Sequence, residues 1–72
     1  MEKEEQTIVL KGDYIKLDQA LKFVLGVSGG EAKEIIAGGE VFVNGEPETQ
    51  RGKKLRDGDE ARYKSIKIQI KR

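Results

Sequence analysis

The chain contains no cysteine and no histidine. The first absence excludes disulfides, and together the two remove the usual zinc ligands and the commonest general base. Ser28 and Ser65 are left without an activating partner. The acidic pairs Asp57 with Asp59 and Glu31 with Glu34 sit among polar neighbours, with no apolar pocket to raise a carboxyl pKa. No enzyme, metal or cofactor is expected. Tryptophan is absent too, and only Tyr14, Phe23, Phe42 and Tyr63 offer an aromatic face, so base stacking is not the first expectation. Long apolar runs are also missing. No segment approaches membrane-spanning length, and the opening Met1-Glu2-Lys3-Glu4-Glu5 lacks the apolar stretch of a signal peptide. A cytoplasmic protein with a charged, frayed start is expected, with no membrane partner.

At 72 residues the chain is expected to form one domain over 1–72, near the lower size at which one core stabilises a fold unaided. Its 14 basic and 13 acidic side chains nearly cancel, which argues against indiscriminate binding to polyanions. They are unevenly spread, however. Residues 1–48 carry five basic and ten acidic side chains, whereas residues 49–72 carry nine basic and three acidic. One end or face is therefore expected to be basic.

Alternation predicts a first strand over Thr7–Lys11, with Ile8 and Leu10 on one face, turned by Gly12-Asp13. From Lys16 the spacing of Leu17, Leu21, Val24 and Leu25 becomes helical, with Lys16, Gln19 and Lys22 off the stripe and Gly26 as the stop. Ser28-Gly29-Gly30-Glu31 fits a capping box, with Val27 and Ala32 as its hydrophobic staple. It starts a second helix that buries Ala32, Ile35 and Ile36 and ends at Gly38-Gly39. Glu40–Val43 then alternates into Asn44-Gly45, a strong type I′ hairpin signal, and the only proline, Pro47, makes the return strand short or an edge. Asp57-Gly58 turns the chain into Glu60–Lys64, and Ile66, Ile68 and Ile70 mark a last strand. The expected core adds Val41, Val43, Leu55 and Tyr63 to these apolar positions.

Two glycine pairs, Gly29-Gly30 and Gly38-Gly39, lack the spacing of a P-loop or a dinucleotide fingerprint and read as helix punctuation. A phosphate site at the helix N-terminus of Ser28, Gly29 and Gly30 is a secondary candidate. The stronger candidate is Arg51, Lys53, Lys54 and Arg56, four cations within six residues with no acid among them, on a hairpin between the turns Asn44-Gly45 and Asp57-Gly58. Lys16 and Lys33, on the two helices, are candidates to join them. A phosphate backbone is the commonest partner of such a surface.

The order Lys16-Leu17-Asp18-Gln19-Ala20-Leu21, Ser28-Gly29-Gly30-Glu31-Ala32-Lys33, Val41-Phe42-Val43-Asn44-Gly45 and Lys54-Leu55-Arg56-Asp57-Gly58-Asp59 resembles the RNA-binding domain named after ribosomal small-subunit protein four, the S-four domain. The resemblance runs from about 16 to 63. It is greatest to small stand-alone bacterial members of the YaaA and YbcJ type, which share Gly29 where larger members carry arginine. It implies an α+β fold, with two short helices packed on a small, mostly antiparallel sheet (the αL motif). The function implied is non-enzymatic binding of structured RNA, above all ribosomal RNA or a ribosomal subunit, in ribosome assembly or quality control. The RNA-binding residues it implies are Lys16, Lys33, Asn44, Arg51, Lys53, Lys54 and Arg56, in a monomer. The competing reading is a protein-interaction adaptor whose acidic and basic halves engage a protein partner.

Overall fold

The computed structural model describes residues 4–72. The expected frayed start at Met1, Glu2 and Lys3 lies outside the described residues. Glu4 and Glu5, expected to be frayed as well, instead begin the first strand, β1 (Glu4–Val9). A short strand β2 (Ile15–Lys16) leads into helix α1 (Leu17–Leu25), followed by α2 (Gly29–Ala37). The remainder is β3 (Val41–Val43), β4 (Glu46–Pro47), β5 (Lys54–Leu55), β6 (Glu60–Tyr63) and β7 (Ile66–Lys71).

Five strands form one sheet in the order β1-β7-β6-β3-β4, while β2 and β5 make a separate two-stranded ribbon. All pairings are antiparallel except β1 with β7, which runs parallel from Glu4 opposite Ile66 to Val9 opposite Lys71. That partner explains the early start of β1. The β7 ladder supplies backbone hydrogen bonds to alternate residues of this stretch, beginning with the Glu4 N–H on the Ser65 carbonyl at 3.0 Å, whatever their side chains prefer. The ladder also fixes the end: Leu10 N–H donates to the Lys71 carbonyl at 2.7 Å, and β7 offers no pairing beyond that residue.

Register and alternation put Ile8, Val41, Val43, Ala61, Ile68 and Ile70 on one sheet face, where they are buried with Leu17, Ala20 and Leu21 of α1 and Ala32 and Ile36 of α2. Among the described residues no buried side chain is polar or charged. The expected core members Val24, Leu25, Ile35, Tyr63 and Ile66 are only half-buried against this cluster, whereas Ala20 and Ala61 are fully enclosed. The two alanines had no large side chain to mark them; a methyl group lets the packed elements approach closely.

The caps follow the sequence in kind. Ser28 Oγ accepts from the Glu31 N–H at 3.2 Å and donates to Glu31 Oε1 at 3.3 Å, so Glu31 closes the box through the hydroxyl rather than the expected backbone N–H. Asn44 and Gly45 have φ of 52° and 86°, the two positive values a type I′ hairpin needs. The return strand β4 is two residues long and lies at the sheet edge, because Pro47 has no N–H for the ladder. The opposite sheet face carries Phe42 beside Pro47 and Arg62, and Lys67 between Glu5 (3.9 Å) and Glu60 (3.2 Å).

Candidate nucleic-acid interface

After Pro47 the chain leaves the sheet. The Glu48 N–H makes a last bond to the Val41 carbonyl at 2.9 Å, and a turn closes where the Lys53 N–H donates to the Gln50 carbonyl at 3.1 Å. The loop then runs back to the start of α1. Residue Lys16 occupies the N-cap of that helix and makes no side-chain cap. In its place the Lys53 carbonyl accepts from the Leu17 N–H at 2.8 Å, the Arg51 carbonyl accepts from the Asp18 N–H at 3.1 Å, and Asp18 Oδ1 accepts from the Gln19 N–H at 2.8 Å. Helix donors that need partners at an N-terminus are thus satisfied by the backbone of the basic loop. The basic cluster is accordingly not on the expected β3–β4 hairpin; it is a loop docked on α1. The cause is Pro47, which stops the hairpin after two residues.

The docking continues into the ribbon, where Ile15 pairs with Leu55 and Lys16 with Lys54. Leu55 is fully buried and Ile15 packs against the core. Strand alternation then turns Lys16 and Lys54 to the other face, and carrying the register one residue further brings Tyr14 opposite Arg56. All four are exposed. Cation–π geometry confirms the arrangement: Lys54 Nζ lies 4.9 Å and the Arg56 guanidinium carbon 5.6 Å from the Tyr14 ring centre. Arg51 and Lys53, also exposed, extend this face along the loop.

Electrostatically the face is uncompensated. Ion pairs among the described residues join Lys67 to Glu5 and Glu60, and Arg72 to Asp13 at 3.8 Å; none involves Lys16, Arg51, Lys53, Lys54 or Arg56. Lys16 breaks two local rules at once. It faces a like charge directly across a ribbon, and it stands at the positive end of a helix. Local rules are broken together most often at functional surfaces, and an anion placed between Lys16 and Lys54 would relieve both conflicts. Folding also cancels part of the charge asymmetry along the chain, since Lys67 and Arg72 of the basic half are paired with Glu5 and Asp13 of the acidic half.

The remaining candidates lie elsewhere. Lys33 is exposed on α2, and among the described residues no hydrogen bond or ion pair ties it to the loop. The Asn44 amide is engaged inside the fold: its Nδ2 donates to Asp59 Oδ1 at 3.2 Å and its Oδ1 accepts from the Glu60 N–H at 3.1 Å. Asp59 Oδ2 in turn accepts from the Arg56 N–H at 2.7 Å, so Asn44 and Asp59 hold the end of the basic segment against the β3–β4 turn. At Ser28, Gly29 and Gly30 the Ser28 hydroxyl already caps the Glu31 N–H and donates to the Glu31 carboxylate, whose negative charge at this helix end would oppose a phosphate. Two residues missed as site candidates stand out. Tyr14 organises the cations of the ribbon, a role that alternation around Ile15 would have signalled only with β5 known as its partner. Lys22 runs beside the start of α2, its Cδ 3.9 Å from where a Cβ on Gly29 would lie.

Among the described residues no helix is long and apolar enough to cross a membrane. A family model described as the S4 domain matches residues 8–71, from β1 through β7. No curated protein matches the chain.

Proposed function

Because the chain belongs to the S4 domain family, whose domain is an RNA-binding one, we propose that it binds structured RNA, in the first instance ribosomal RNA, through phosphate contacts from Lys16, Arg51, Lys53, Lys54 and Arg56, with Lys33 as an outlying contact, in ribosome assembly or quality control. The observation that carries this reading is the outer face of the β2–β5 ribbon, where Lys16 and Lys54 stand opposite each other beside Tyr14 and Arg56 with no acid among them. An A-form duplex offers closely spaced phosphates and hides its base edges in a deep, narrow groove, so a rigid basic face reads its shape and backbone. Rigidity comes from below: the buried Leu55 and the two loop carbonyls on the α1 N-terminus fix the backbone from which the cations project.

About five such contacts give a slope near −4 in log K against log salt, and affinity falls by about two orders of magnitude between 50 and 200 mM salt. The test is a salt series of binding to ribosomal RNA and to intact ribosomal subunits, comparing the native chain with a variant in which Arg51, Lys53 and Lys54 are all alanine. The reading expects the variant, folded by circular dichroism, to bind more weakly with a slope shallower by about two to three. Equal binding by both chains, or binding by neither, overturns it in favour of the adaptor. Ion pairs that tie the two halves of the chain to each other, Lys67 with Glu5 and Arg72 with Asp13, leave the adaptor less free charge to work with.

A further inference from the structure

Along the free edge of β1 runs an open groove of about 470 Å³, lined by the segment from Thr7 to Gly12 together with Tyr14, Ile15 and Phe23. Its walls are mostly apolar, and two of their large side chains stand open to solvent. Phe23 on α1 is 77% exposed and Val9 is 69% exposed, although α1 has a buried stripe that Phe23 could have joined had it stood one position away. The groove is continuous with the basic face through Tyr14, which lines the one and carries Lys54 and Arg56 of the other. Charge around it is positive: Asp13 is paired with Arg72, while Lys11 on the rim has no ion pair among the described residues.

An aromatic platform bordered by free cations suits a nucleobase whose phosphates lie on those cations, because stacking needs only a π face and the backbone follows the charge. We infer that the groove takes an unpaired nucleotide adjoining the duplex held by the basic face, with its base stacked on Phe23. This rests on the RNA reading above and adds to it a preference for a helix that ends in, or is interrupted by, single-stranded nucleotides. Tyr14, with cations already over its ring, links the two parts and aligns the strand.

The probe is a labelled RNA hairpin in three forms: a blunt stem, the same stem with a tail of four adenosines, and the same stem with an abasic tail of equal length. The abasic form supplies the extra phosphates without bases. The adenosine tail is expected to bind about tenfold more tightly than the abasic one. In Phe23→Ala, whose fold is checked by a melting curve, that advantage disappears while blunt-stem affinity stays unchanged; Phe23→Trp restores it. A 5-iodouridine placed in the tail is expected to crosslink to Phe23. Equal binding of adenosine and abasic tails by the native chain, or a tail advantage that survives Phe23→Ala, overturns the inference. So does concentration-dependent dimerisation, seen by sedimentation and abolished in Phe23→Ala, without any tail effect; the groove would then be an interface between copies. Failure of the native chain to bind even the blunt stem is the separate result that sinks the RNA reading itself.

Discussion

Replacing Lys16 by glutamine should make this protein more stable and a weaker RNA binder at the same time. The substitution keeps the length of the side chain and removes only its charge. Nothing else at the site depends on that charge: Lys16 makes no cap and no ion pair among the described residues, and the α1 N–H groups of Leu17, Asp18 and Gln19 already have acceptors. What is relieved is repulsion from Lys54 directly opposite, about 0.2–1 kcal/mol, and the unfavourable meeting of a cation with a helix N-terminus, about 0.3–1 kcal/mol. The expected gain is about 1 kcal/mol at low ionic strength, or a rise of about 4–8 °C in Tm for a chain of this size. The assay is thermal unfolding followed by circular dichroism in low and in about 0.5 M salt, where screening should shrink the gain to near zero. RNA binding moves the other way. Loss of one phosphate contact lowers the salt slope by about 0.7–0.9 and the affinity at about 0.15 M salt by about fivefold. A variant that is no more stable at low salt refutes the claim that Lys16 is electrostatically strained. One that gains stability but keeps its RNA affinity and slope refutes its place in the interface.

Other expectations follow from the same framework. Leu55→Ala, at a fully buried position, should cost about 2–5 kcal/mol in urea denaturation and release the ribbon from the core, lowering RNA affinity well beyond the loss of any one cation. Asn44→Ala loses both amide hydrogen bonds and replaces asparagine, which tolerates the left-handed backbone, by alanine, which does not, at φ 52°, a cost of about 2–3 kcal/mol; its effect on RNA binding should vanish under conditions where the variant is fully folded. Gly29→Ala meets only ordinary contact, 3.9 Å from Lys22 Cδ, so stability by the same denaturation should change by less than about 1 kcal/mol, rising if at all.

Several elements were legible because their signals are local. The capping box at Ser28, the stop at Gly26, the Asn44-Gly45 turn and the alternation of Ile66, Ile68 and Ile70 each act within a few residues, and each appears where expected. The order of these motifs also carried the family. By contrast, the turn between β6 and β7 gave no signal. Lys64 sits there at φ 54°, a conformation that lysine disfavours and that the tight pairing of Tyr63 with Ile66 imposes. The basic segment was identifiable by composition, but its setting was misjudged, since the hairpin expected to carry it ends at Pro47.

The sequence alone determined which residues form helices, where the chain turns and which four cations are close together, since caps, glycines, proline and periodicity act through the backbone within one or two turns of chain. Tertiary structure decided the partners. Alternation says which face a residue takes and leaves open the strand it meets, so the parallel union of β1 with β7 and the pairing of Ile15-Lys16 with Lys54-Leu55 emerge only when distant segments compete to bury Ile8, Leu55 and Ile70 in one core. From that competition come the features that make a surface out of a basic stretch: Lys16 facing Lys54, Tyr14 under two cations, and Lys67 and Arg72 withdrawn into ion pairs.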